Sequence, residues 1–247
     1  MAEKYTPTPL EAQRIKMQPD MLKVSGDGVF FSIQGEGRSL GLPSVFLRLH
    51  FCNLRCSWCD TKYTWDKNSP EFWQESQDWT IDRAKAEITR FPARRLIVTG
   101  GEPLLQQRKI VNLLQQMPDW EVEIETSGTI APLPELQERV QFNVSPKLDN
   151  SGNPRVVRLK PQVLRALNEL PLTSFKFVVQ DPSDFAEIHR IVQDCGLDQS
   201  KIIIMPEGST QEDIRRHGLM VVEDVKLQGW RLMPRLHIDL WGHQRGI

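Results

Sequence analysis

Val45-Phe46-Leu47-Arg48-Leu49-His50-Phe51-Cys52-Asn53-Leu54-Arg55-Cys56-Ser57-Trp58-Cys59 reads as a short apolar strand running into a loop that carries three cysteines. The chain has 4 cysteines in all, so most of its thiols sit on this one loop. A structural zinc site takes four ligands and usually brings them as two separated pairs. Three thiolates on a tight loop can instead hold three corners of a 4Fe–4S cluster and leave one iron open to a ligand that is not protein. Spacing alone leaves the metal open, because zinc could recruit His50, Asp60 or Cys195 as a fourth ligand. A disulfide is disfavoured: residues 1–20 are polar and contain proline, with no apolar signal core pointing to an oxidising compartment. Cys195, just before Gly196 at the end of a helical segment 183–195, reads as a buried structural thiol.

Outward from the first strand, β-branched or aromatic runs recur at 96–99, 122–125, 142–145, 175–179 and 202–205. Between them lie helix-period segments at 81–91, 104–117, 134–139, 161–169, 183–195 and 211–227, the last weakened at Gly218. Apolar strands alternating with helices predict an α/β fold, a parallel sheet covered by helices, with the site at the carboxyl ends of the strands. Polar or glycine-rich punctuation gathers at those ends: Cys52, Gly100-Gly101-Glu102-Pro103, Thr126-Ser127-Gly128, Pro146-Lys147, Gln180-Asp181 and Pro206-Glu207-Gly208. Pro103 suits a helix start and the two glycines suit a tight bend.

With 247 residues, 39% of them hydrophobic, the chain can bury one substantial core, and neither linker nor repeat divides it. Its apolar runs are only strand-sized, so no membrane span is expected and the localisation expected is cytoplasmic. The net charge of −1, with Lys and Arg scattered among acids, argues against a nucleic-acid face and for a small substrate.

The three-cysteine loop followed by Thr99-Gly100-Gly101-Glu102-Pro103 resembles the S-adenosylmethionine radical superfamily. Phe31-Ser32-Ile33-Gln34-Gly35-Glu36-Gly37, Gly41-Leu42-Pro43-Ser44-Val45-Phe46-Leu47-Arg48, Cys59-Asp60-Thr61, Ile124-Glu125-Thr126-Ser127-Gly128-Thr129 and Val144-Ser145-Pro146-Lys147 narrow it. Together they are similar to the 7-carboxy-7-deazaguanine synthase family. The resemblance implies a partial (β/α)6 barrel of mainly parallel strands, a single domain over 1–247 with 1–22 as an N-terminal extension. It also implies conversion of 6-carboxy-5,6,7,8-tetrahydropterin to 7-carboxy-7-deazaguanine with loss of ammonia, on the route to queuosine. The implied cofactors are a 4Fe–4S cluster, S-adenosylmethionine and Mg²⁺; the implied partners are flavodoxin or ferredoxin as electron donor and a second copy in a homodimer.

By the same resemblance, Cys52, Cys56 and Cys59 ligate the cluster and Thr61 ligates Mg²⁺. Trp58, Cys59, Asp60, Gly101, Glu102, Ser145, Pro146, Lys147, Met205, Pro206, Glu207 and Gly208 form the S-adenosylmethionine shell. Ile33, Gln34, Gly35, Arg48 and Thr99 contact the substrate. Read from chemistry alone, Gln34 and Glu36 can meet an aminopyrimidinone edge and Arg48 offers a planar fork to a carboxylate. Arg48 lies between Leu47 and Leu49, so strand alternation can point it inward. Glu125 and Lys147 could form a structural ion pair instead. The family's C-terminal Gln-Thr-His-Lys is replaced here by Arg235-Leu236-His237-Ile238, so no substrate contact is carried over to that segment. Two alternatives stand beside this reading: a glycyl-radical-type activating enzyme and a non-catalytic zinc-binding interaction module.

Overall fold

A computed structural model describes residues 5–247. Its strands are β1 (Met21–Ile33), β2 (Pro43–Leu49), β3 (Ser76–Thr80), β4 (Arg95–Gly100), β5 (Glu121–Thr126), β6 (Val140–Val144), β7 (Thr173–Val179), β8 (Ile202–Pro206) and β9 (Arg231–Leu232). They form one sheet in the order β3-β1-β2-β4-β5-β6-β7-β8-β9. From β2 through β9 every neighbouring pair is parallel, whereas β1 pairs antiparallel with both β2 and β3. The parallel strands β2 and β4–β8 are the ones read from sequence, so the partial barrel stands. The antiparallel flank and β9 were not foreseen.

Alternation along these strands decides where the site can be. Leu47 and Leu49, Val122 and Ile124, Phe142 and Val144, and Phe175 and Phe177 are buried in the core packed against helices. The residues between them therefore point to the opposite, inner face, which carries Arg48, Glu123, Glu125, Asn143 and Lys176. The outer layer follows helical spacing: the helix Asp184–Cys195 buries Phe185, Ile188, Ile191 and Cys195 on one side and ends on Gly196. Cys195 is thus a core thiol, as expected. The helix Gln211–Gln228 runs unbroken through Gly218.

Residues assigned to an extension are partly structural. β1 begins at Met21, and Leu22 is fully buried. Ahead of it, the short helix Pro9–Arg14 is fastened from below: the buried Lys23 Nζ donates to the Arg14 carbonyl at 2.6 Å and pairs with Asp78 at 2.6 Å. Lys109 Nζ donates to the Gln18 carbonyl at 2.6 Å. Among the described residues no helix is long and apolar enough to cross a membrane.

Candidate active site

At the carboxyl ends of the parallel strands lies a cavity of about 280 Å³ lined by Cys52, Cys56 and Cys59. What brings the cysteine loop there is a backbone crossing. Phe51 adopts φ 77°, and it alone among the described non-glycine residues has positive φ. This turns the chain sharply after β2, at a conformation costly for a side chain with a Cβ. The Gly100-Gly101 turn then presses on it: the Gly101 and Glu102 N–H groups donate to the Leu49 and Phe51 carbonyls at 3.2 and 2.8 Å. Gly100 has φ 134°, and a Cβ there would lie 2.1 Å from the Leu49 oxygen; one on Gly101 would lie 2.2 Å from the Phe51 oxygen. Both glycines are needed for this close approach.

The loop fits a cluster. Each sulfur receives one N–H: Leu54 N to Cys52 at 3.4 Å, Asn153 Nδ2 to Cys56 at 3.3 Å and Trp65 Nε1 to Cys59 at 3.3 Å. Such donors stabilise thiolates and tune a cluster's potential. Burial pushes the Cys52 thiol up to about 12 and raises Cys56 as well, so these two hold protons that a bound metal would have to displace. Each thiolate of a cube meets a different iron, so the three side chains need not converge on one point.

Opposite the loop, two charged systems face each other. Arg48 lines the cavity with its guanidinium 5.4 Å from the Phe30 ring centroid and forms no ion pair among the described residues. Across from it, Glu125 accepts from Thr99 Oγ1 at 2.7 Å and from Gln34 Nε2 at 3.1 Å. The second N–H of that amide goes to Glu123 at 3.0 Å, and Gln34 Oε1 accepts from the Glu36 N–H at 3.2 Å. Both N–H groups of Gln34 are therefore taken by Glu123 and Glu125, and Glu125 lines the cavity beside it. Glu36 is engaged as well: Lys176 and Arg235 pair with it, the latter at 2.8 Å. Burial alone would raise the Glu36 carboxyl, but those two cations outweigh it and hold it well below the usual carboxylate range.

The family model of the Radical SAM superfamily matches residues 47–217. The 7-carboxy-7-deazaguanine synthase of Pyrobaculum aerophilum is 37% identical over 227 residues, 88% of this chain and 95% of that one. The chain belongs to the 7-carboxy-7-deazaguanine synthase family. The synthase of Escherichia coli (strain K12) is 29% identical over 223 residues. The crystal structure of QueE from Escherichia coli gives a TM-score of 0.67 at 26% identity, covering 88% of this chain and 95% of that one.

Most residues assigned by the family resemblance meet in the cavity: Ile33, Gln34, Gly35, Arg48, Trp58, Asp60, Thr61, Thr99, Gly101, Ser145, Lys147, Met205, Glu207 and Gly208 all line it. Three do not. Glu102 is fully buried, its carboxylate accepting from Thr126 Oγ1 (2.8 Å), Leu104 N (3.1 Å), Ser127 N (2.8 Å) and Ser127 Oγ (2.5 Å). It fastens the glycine turn to the end of β5. Pro146 and Pro206 are buried in the strand ends and shape the chain there. No Glu125–Lys147 pair forms: Lys147 Nζ donates to Ser145 Oγ at 2.8 Å and lies 5.4 Å from the Trp58 ring centroid. Trp58 is fixed by its Nε1 donating to Asn150 Oδ1 at 3.2 Å.

Other residues of the synthase site were not foreseen. Lys176 is a lone cation in an apolar strand, the same signal that singled out Arg48. Arg235, His237 and residues 243–247 line the cavity from the segment where the chain departs from the family motif, beyond the superfamily match. Arg245 stacks on Tyr63 at 3.8 Å and pairs with Glu75 at 2.5 Å, securing that segment across the cavity mouth.

Glu123 offers a test of this buried polar face. Burial, reinforced by the Glu125 charge, pushes its carboxyl up to about 7 from 4.5. A folded value above the unfolded one gives stability that is full below 4.5 and is lost as pH rises through 7. Glu123→Gln removes that loss, so the metal-free variant should gain on wild type by about 2–3 kcal/mol, or several degrees in melting temperature, between pH 5 and pH 8. Parallel melting curves for the two proteins across that range would show instead that Glu123 ionises freely.

Proposed function

We infer that this protein is a radical S-adenosylmethionine lyase that converts 6-carboxy-5,6,7,8-tetrahydropterin to 7-carboxy-7-deazaguanine with loss of ammonia, in 7-deazapurine biosynthesis. The observation that carries the reading is one cavity in which the three-cysteine loop, the diglycine turn and an unpaired arginine meet. When bound, the cluster and S-adenosylmethionine supply an electron and a hydrogen-abstracting radical. Cys52, Cys56 and Cys59 hold the cluster; Trp58, Asp60, Gly101, Ser145, Lys147, Met205, Glu207 and Gly208 hold the cofactor against it. Arg48 binds the substrate carboxylate through its fork. Glu125, with lone pairs left on both oxygens, accepts from the amino and ring N–H groups of the aminopyrimidinone edge. Phe30 and Phe46, stacked at 4.9 Å, help keep water from the reacting carbon. A homodimer and an external one-electron donor, flavodoxin or ferredoxin, belong to the same reading.

Thr61 suits the Mg²⁺ role. It precedes the short turn Lys62–Thr64, yet its hydroxyl makes no capping bond there. Its partner is the Cys59 sulfur at 3.5 Å, and a hydroxyl that donates its proton to that sulfur keeps oxygen lone pairs for a cation that retains most of its waters or substrate oxygens. Thr61→Ala should blunt the stimulation of turnover by added Mg²⁺ while leaving iron content intact. Undiminished Mg²⁺ dependence in that variant would remove Thr61 from the site.

Neither alternative is favoured. Relatives matched over nearly their full length are named synthases, and the cavity is of small-molecule size. The direct test is anaerobic reconstitution with iron and sulfide, then incubation with S-adenosylmethionine, reductant and the carboxytetrahydropterin. Brown protein forming the deazaguanine by mass spectrometry supports the reading. Colourless zinc protein without product refutes it.

A further inference from the structure

Three strand-end loops that the site brings together share one side chain. Arg235 donates from each guanidinium nitrogen to a different element: Nε to Glu36 at 2.8 Å, Nη1 to the Gly208 carbonyl at 2.8 Å and Nη2 to Asp60 at 2.6 Å. Glu36 belongs to the loop after β1, on the substrate side. Asp60 follows Cys59 on the cluster loop, and Gly208 follows β8 on the cofactor side. The side chain of Arg235 is only 12% exposed and that of Glu36 13%, so solvent screens their contact weakly. Arg235 is itself held, because the next residue's N–H donates to the Gly35 carbonyl at 3.0 Å.

We propose that Arg235 is a positioning residue that locks the cofactor side of the cavity to the substrate side. The proposal rests on the functional reading above. With Arg235 and Lys176 present, two cations face the two carboxylates Glu36 and Asp60. Without Arg235, Lys176 touches only Glu36, and the other neighbour of that carboxylate, His237 at 4.0 Å, is pushed by burial toward its neutral form. The Asp60 loop and the Gly208 turn then lose their shared anchor, and both ligands meet a looser wall. A planar fork can serve three partners at fixed angles; a single ammonium cannot.

The test uses the full chain reconstituted with iron and sulfide. Affinity for S-adenosylmethionine is read by calorimetry on the unreduced protein, and KM for the carboxytetrahydropterin in turnover. Arg235→Gln should keep its iron content yet weaken both constants at least about tenfold. Arg235→Lys should rescue at most one of them, since its ammonium cannot reach both carboxylates. A lower melting temperature with both constants unchanged would make Arg235 merely structural and overturn the proposal. If Arg235→Gln does not fold, the charge-preserving lysine variant decides: at least one constant weakened supports the lock, both intact overturns it. Failure of the wild type to turn over the pterin would sink the functional reading instead, and the calorimetric arm would still judge Arg235.

Discussion

Arg48→Ala is expected to keep its cluster and bind S-adenosylmethionine, yet lose nearly all turnover of the carboxytetrahydropterin. The argument begins with strand alternation. Leu47 and Leu49 are fully buried toward the helices, so Arg48 must face inward, beside Thr99 in the parallel register. There the guanidinium has an aromatic ring but, among the described residues, no ion-pair partner: the Asp60 carboxylate feels its charge but is paired with Arg235. A cation left unpaired in a cavity is poised for an anionic ligand, and the proposed substrate brings a carboxylate next to its reacting carbon. Removing one partner of such a desolvated pair costs about 2–5 kcal/mol, a fall of at least about thirtyfold in kcat/KM. Radical transfer depends steeply on placement, so kcat should fall as well as KM rise. Arg48→Lys should recover part of the binding and little of the rate, because a point charge cannot reproduce the fork. Wild-type turnover by Arg48→Ala would abolish the substrate pose.

The second large effect concerns the thiolates. Cys52→Ser, Cys56→Ser and Cys59→Ser should each lose the brown absorbance and all product, whereas Cys195→Ser should keep both. On the proposed reading each loop thiolate would hold one iron; each sulfur has its own N–H donor, and a serine hydroxyl is too hard a ligand to replace a thiolate. Cys195 is 1% exposed in the helix Asp184–Cys195 and contributes only packing. Iron and labile sulfide analysis of the four variants is the measurement. A stable cluster in any loop variant, or its loss in Cys195→Ser, would overturn the ligand assignment.

What could be read in advance divides along a physical line. The parallel strands announced themselves because both their faces are covered, giving continuous apolar runs between helices. β1 did not: Gly26, Asp27 and Gly28 interrupt it, and its register with β2 shifts between Val24 and Val29. β3, Ser-Gln-Asp-Trp-Thr, is too polar and short, and β9 has only two exposed residues. In the site, local signals sufficed for the cysteine loop, the diglycine turn and Arg48. The engagement of both Gln34 N–H groups, and the burial of Glu102 away from the cavity, could not be read locally, because their partners, Glu123 and Glu125 for one and Thr126 and Ser127 for the other, come from β5 and its end, distant in sequence. Arg235 reaches its partner Glu36 across 199 residues of chain, which no local motif can report.

The two lysines beneath the N-terminal segment bear on how this enzyme can be trimmed. To an engineer seeking a minimal version, everything before Met21 looks dispensable: one short helix without a buried residue of its own. Yet Lys23 and Lys109 send their ammonium groups outward to the carbonyls of Arg14 and Gln18. Deleting that stretch would uncap both amines at the base of the sheet, leaving Lys23 with Asp78 and Lys109 without its carbonyl acceptor. The segment works as a stopper over two buried cations. Fusion tags are therefore better attached ahead of it than substituted for it.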